Sequence, residues 1–275
     1  MRTVHVPLAL LTLLALLIPC IAPAEQEEVG LDKYKVAGEA IILPAVDDDA
    51  SAITFSPETS SLFVALNNPP TLIELEMDGK VKRTVKLQGF QDTEGVAWIE
   101  GQTFAVIEER RRNLVLVEIG PQTESVSYQK VLKFLVEPQP SENRGIEGIA
   151  SDSDGKRLFI VKEKEPRKLY EVELPTEAGE LEIDIPWDLE KTSHGMKDVA
   201  GLFFHAATSH LLILSDQSKC IVECTLDGEE VARLKLTAGS AGLTADIGQP
   251  EGITMDDKGN LYICSEPNLI YIFKK

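Results

Sequence analysis

The 275-residue chain is written in repeats: an acid–Gly pair, a short apolar run, a turn, a second apolar run and a closing acid. The fullest copy spans residues 249–266, from Gln249-Pro-Glu-Gly252 to Ser265-Glu266. Aligned on the acid–Gly pair, copies begin at Ser51-Ala52, Glu94-Gly95, Glu147-Gly148, Ala200-Gly201 and Glu251-Gly252, at spacings of 43, 53, 53 and 51 residues. A period near roughly 40 to 50 residues marks the blades of a propeller, in which each unit buries its faces only against its neighbours. Five copies predict an all-β, five-bladed β-propeller with four-stranded antiparallel blades.

Blade one shows the scheme. Apolar runs at 52–55, 61–66, 71–75 and 80–87 are separated by Pro57, Asn67-Asn68-Pro69-Pro70 and Asp78-Gly79, the turn chemistry of a meander. Blade two is read with its fourth strand over 126–135, blade three with an acidic outer strand near 181–185, and blade four with an outer strand over 230–236. The last repeat stops after a third run at 269–273. The branched, apolar stretch 34–43, which precedes the first repeat, is therefore expected to supply its fourth strand. That closes the ring and removes exposed sheet edges.

Upstream of the repeats, Arg2, an apolar stretch from Val6 to Ile18 and Ala22-Pro23-Ala24 have the parts of a secretory signal peptide. Residues 1–24 are read as that leader, and 25–275 as one propeller domain. A retained anchor is the alternative, although Pro7 and Pro19 interrupt a run already short against the roughly 20 residues of a spanning helix; lipidation at Cys20 is disfavoured by Pro19. Removal of the leader leaves 26 basic residues against 45 acidic ones, a formal charge of −19, which argues against nucleic acid as a partner. Cys220 and Cys224, four residues apart on one strand, would stand about 13 Å from each other, too far for a disulfide. With Cys264 they are expected as small buried apolar residues. No zinc-ligand spacing occurs among His5, His194, His205 and His210.

The function lies in the acids. In a propeller blade the start of the first strand and the end of the second share one face of the disc. The starts carry Ser51, Glu94, Glu147, Ala200 and Glu251; two residues earlier stand Asp49, Asp92, Gly145, Asp198 and Gln249; the second strands end on Asn67, Glu109, Glu163, Asp216 and Glu266. Side chains two apart on a strand point the same way, so these acids converge on one mouth of the central channel. Carboxylates crowded there resist ionisation unless a cation sits among them. Oxygen donors with no His or Cys suit calcium, and suit magnesium less because of its stricter octahedral demand. The inner acids are read as ion ligands. For the outer column, backbone capping or pairing with Arg110, Arg111, Arg112, Arg144, Arg167 and Lys168 competes with that reading.

Two acidic turns are decoys. Asp152-Ser-Asp-Gly155 places Glu163 formally at the twelfth position of a calcium loop, but 158–161 alternates as a strand and the hairpin reading is stronger. Asp256-Asp-Lys-Gly-Asn260 is the same turn in blade five. There is no nucleophile elbow and no phosphate-binding glycine loop. His194, in the loop before Asp198, reads as a solvated residue.

Asp92-Thr-Glu-Gly95, Val106-Ile-Glu-Glu-Arg110, Gly145-Ile-Glu-Gly-Ile-Ala150, Asp198-Val-Ala-Gly-Leu202, Leu212-Ile-Leu-Ser-Asp216 and Pro250-Glu-Gly-Ile253 together resemble the SdiA-regulated (YjiK-like) family of bacterial envelope proteins. The resemblance covers nearly the whole chain after residue 24. It implies a calcium-binding five-bladed propeller, distantly similar to NHL-repeat proteins, located in the periplasm or cell envelope and sometimes membrane-associated. Ala200 departs from the small polar residue usual in such repeats, which leaves Asp198 to serve that blade. The expectation is thus a calcium-binding envelope propeller with Glu94, Glu147, Asp198 and Glu251 nearest the axis. Its partner would be an envelope protein or small molecule on the acidic rim. Two other readings are a metal-dependent lactonase or phosphoesterase and a pure protein-binding platform.

Overall fold

A computed structural model describes residues 28–275 except 45, 47, 48, 138–144, 165, 175–180 and 191–194. The leader, His194 and Arg144 lie outside the described residues. Five sheets follow one another in chain order, each centred on a meander of antiparallel strands. Blade one comprises Ala50–Ser56, Ser61–Leu66, Thr71–Leu75 and Val81–Gln88. Blade four comprises Gly201–His205, His210–Ser215, Cys220–Cys224 and Glu230–Lys235.

The middle strands read as unbroken apolar runs because both of their faces are covered, as in any strand sandwiched between layers. In blade four, Leu211 and Ile213 pack toward blade three, while Leu212 and Leu214 pack toward blade five. The core is accordingly five separate clusters, one in each wedge between neighbouring blades. Cys220, Cys224 and Cys264 are free and buried in these wedges.

Ring closure follows the sequence expectation with one difference. Residues 35–36 and 41–42 both pair antiparallel with Leu269–Lys274, completing blade five. They form two short strands rather than one, because the chain bends out between them at Gly38, whose φ is 95°. Upstream, Val29, Leu31 and Tyr34 are buried in the wedge between blades four and five. The fully buried Glu223 accepts the Val29 amide there at 2.8 Å and faces His210 Nδ1 at 2.7 Å.

Blade two corrects a second expectation. Residues 126–135 are not one strand: Ser125–Ser127 pairs in parallel with the outer strand of blade one, a 3-10 turn follows over Tyr128–Lys130, and only Leu132–Leu135 pairs within blade two. Tyr128 anchors the crossing, with Arg111 and Lys133 over its ring and Phe90 against its edge.

Candidate metal centre

In every blade but the fourth, the residue at the acid position is aimed by a defect in its own strand. The pairing of first and second strands skips between Ala50 and Ala52, Thr93 and Gly95, Ile146 and Ile149, and Pro250 and Gly252. Ser51, Glu94, Glu147 and Glu251 sit on these bulges, which kink a strand and re-aim a side chain. The glycine that follows has a separate cause, close approach of the next blade. A Cβ on Gly95 would lie 2.4 Å from the Glu147 carbonyl oxygen, one on Gly148 2.8 Å from that of Ala200, one on Gly201 2.8 Å from that of Glu251, and one on Gly252 2.6 Å from the Ile53 nitrogen. The inner strands therefore touch backbone to backbone around the ring. The space left at the waist beside Glu94 and Glu251 is only about 10 Å³.

Three carboxylates meet at the mouth above this waist. Asp92, Glu94 and Glu109 each offer an oxygen, and the three oxygens lie within 4.8 Å of one another. Asn67 Nδ2 donates to Glu94, the Gly145 amide donates to Glu109 at 2.9 Å, and Arg110 Nε stands 2.8 Å from Asp92. Burial pushes Glu94 up to about 8; a Ser51 hydroxyl hydrogen bond opposes the rise, while Asp92, Glu109 and Glu266 add to it. Glu251 is likewise pushed up to about 8, by burial and then by Asp216, Glu266, Glu94 and Asp198. Glu147 is held well above the usual carboxylate range by burial and by Glu251, Glu94 and Glu109. Glu109 is raised by burial and Asp92 against its hydrogen bond from Gly145. These acids lie in one another's field, and Glu94 and Glu251 keep protons at neutral pH unless a cation compensates them. The donor set fits a hard ion: two oxygens on one calcium, each about 2.4 Å from it, stand at most about 4.8 Å apart.

The remaining predicted ligands divide by their partners. Asp198 is 1% exposed and points at its own blade, where both oxygens accept the Gln217 amide and one also accepts the Ser215 hydroxyl. Asp216 pairs with Lys219 at 2.6 Å, Glu163 pairs with Lys164, and Glu266 accepts from Gln249 Nε2 at 3.0 Å. Asp49 borders the same mouth as Asp92. The two-apart strand argument does not hold for these two aspartates. Both adopt left-handed backbone, φ 67° and 55°, and a bulge separates each from the inner position. The rim cations expected as competitors are engaged elsewhere: Arg111 with Glu108, Arg112 and Lys168 with Glu137, and Arg167 with Glu190. Among the described members of that set, Arg110 is drawn to the column, at Asp92.

Both decoy turns are hairpin turns capped by their own aspartates. Asp152 Oδ1 accepts the amides of Lys156 and Arg157, and Asp256 Oδ1 those of Lys258 and Asn260. Sequence reasoning did not identify Asn67 or the Gly145 amide as parts of the centre. Their only signal was that Asn67 and Gly145 break otherwise acidic columns.

A cavity of about 560 Å³ opens beside the three carboxylates, lined by Asp49, Asn67, Asn68, Gln91, Asp92 and Arg110 with Pro70 and Phe90. A second, of about 280 Å³, occupies the opposite mouth among Thr54, Phe55, Trp98, Phe203 and Met255. There Thr254 Oγ1 accepts the Phe55 amide and Thr54 Oγ1 the Trp98 amide, both at 3.1 Å, tying neighbouring blades together.

Solved structures share the architecture at low identity. A protein of unknown function from Bacteroides thetaiotaomicron superposes with a TM-score of 0.52 at 16% identity, over 84% of this chain and 56% of that one. The chain thus spans just over half of that protein's length. A calcium-binding protein, regucalcin, from Agrobacterium tumefaciens gives 0.51 at 15% identity, over 85% of this chain and 92% of that one. A nidogen/laminin complex gives 0.54 at 13% identity, over 80% and 73%. At such identities the likeness shows the fold alone. The family model described as SdiA-regulated matches residues 26–274, and the chain belongs to that family.

Proposed function

We propose that this protein is a calcium-binding propeller of the cell envelope that acts as a binding protein, with its ion held by Asp92, Glu94 and Glu109. The convergence of those three carboxylates carries the reading. Glu147 and Glu251 lie in the same field, and a cation there would favour their ionised forms. The likeness to a protein described as calcium-binding agrees with it. The envelope location rests on the leader-like residues 1–24 and is checked by fractionating cells that express the full chain.

Calorimetric titration of chelator-treated protein, with thermal melting alongside, tests the ion. Calcium at about one hundred times its dissociation constant is expected to add about 2.7 kcal/mol of stability, and Glu94→Gln to weaken binding at least tenfold. A melting temperature indifferent to calcium would remove the proposal.

A further inference from the structure

A larger cavity, of about 740 Å³, adjoins the polar one. It lies along the face of blade one beneath Pro44, and its walls include Leu66, Pro69, Ile73, Val81 and Leu87. The two cavities have Pro70 and Phe90 in common, so the polar cavity at the carboxylate mouth and the larger one on blade one lie side by side. Each cavity by itself is within the roughly 300 to 1,000 Å³ usual for ligand sites, which are mostly apolar with a few convergent polar groups. Here the side-chain amides Asn67, Asn68 and Gln91 and the carboxylates sit at one end, while the larger cavity is lined by apolar residues together with Thr71, Thr84, Lys86 and Gln88. Asn67, Asn68 and Gln91 offer side-chain amides, Arg110 already faces Asp92, and the acids outnumber the cations.

We infer that these adjoining cavities bind an amphiphile with an uncharged, oxygen-rich head, of the acyl ester or acyl amide class, the head beside the carboxylate centre and the acyl chain in the blade-one cavity. The amides match neutral carbonyl and hydroxyl groups. The surplus of carboxylates disfavours an anionic head such as a free fatty acid. The inference rests on the cation reading insofar as a head oxygen completes the ion's coordination.

The probe is 1-monolauroylglycerol, used below its aggregation concentration on the full-length protein with calcium, with laurate and shorter monoacylglycerols in parallel. Binding of the lauroyl ester is expected, strengthening roughly fourfold per added methylene, with laurate at least tenfold weaker. Thr84→Trp, which fills the cavity at an exposed position far from the acids, is expected to abolish lipid binding while calcium affinity stays unchanged. Equal binding of laurate, or indifference to chain length, overturns the inference. So does an absence of lipid binding by protein that still takes calcium, and that outcome leaves the cation reading standing. Failure of native protein to bind calcium defeats the cation reading instead, and the inference with it.

Discussion

Gly145→Ala tests whether the carboxylate centre depends on a missing side chain. Gly145 stands where blades one, two and four carry an aspartate, and its amide donates to Glu109 at 2.9 Å. A Cβ there would meet the Glu109 carbonyl oxygen at 2.4 Å, its Cγ at 2.6 Å and its carbonyl carbon at 2.8 Å. Ordinary contact begins near 3.4 Å, so Glu109 or the strand must give by about 1 Å. Its neighbours are packed against it, and overfilling of this kind costs about 1–3 kcal/mol. At roughly 2–4 °C per kcal/mol for a domain of this size, melting should fall by about 2–12 °C. Glu109 is one of three converging acids, and its withdrawal should also weaken calcium at least tenfold. Gly248→Ala is the control. Its Cβ would find only the Glu266 carbonyl at 3.6 Å and Ser265 Oγ at 3.7 Å, and calorimetry and melting should match the native protein or improve slightly. A Gly145→Ala protein with native melting and native calcium affinity would refute the steric argument.

Two further outcomes are expected. Glu94 and Glu251 are held up to about 8 against an ordinary 4.5, so folded, ion-free protein retains protons that the unfolded chain releases. Stability should therefore fall as pH rises from about 4.5 to about 8, by about 1.4 kcal/mol per unit for each group; a flat melting profile for chelated protein across that window, or a fall that calcium does not relieve at pH 8, would contradict it. Asp198→Asn removes a buried charge-assisted acceptor from Ser215 and Gln217 and should cost about 1–3 kcal/mol in denaturant unfolding while lowering calcium affinity less than Glu94→Gln, and the reverse order would return Asp198 to the centre.

The fold was legible because its causes are local and repeated. Runs such as Leu211-Leu-Ile-Leu214 announce strands buried on both faces, and a last repeat with only three runs asks for a fourth strand from elsewhere. Residues 125–127 were not legible, because their pairing with blade one is decided by the crossing that Tyr128 anchors rather than by their own pattern. The site was legible as a set of acids and not as a geometry. Asp198 and Glu94 look alike in the repeat. Ser215 and Gln217, 17 and 19 residues downstream, claim Asp198 for the blade, whereas a bulge turns Glu94 toward the axis.

A ring of near-identical units need not make a symmetric site, and the departures from the repeat say where the asymmetry falls. Blade two alone has acids at all three positions, Asp92, Glu94 and Glu109, and those are the three whose oxygens converge. Its neighbours have lost acids in ways that serve that cluster. Blade one presents Ser51 and Asn67, and both hydrogen-bond Glu94. Blade three presents Gly145, whose bare amide reaches Glu109. On either side of blade two, residues that interrupt the acidic columns are thus donors to the acids that remain. Blade four, with Ala200 and the self-capped Asp198, contributes charge but no converging oxygen. Buried carboxylates need hydrogen bonds or a cation to stay ionised. A repeat that kept every acid would leave them competing for both, and replacement of some by donors next to blade two fixes the centre at one sector of the mouth, beside the cavity lined by Asn67, Asn68 and Gln91.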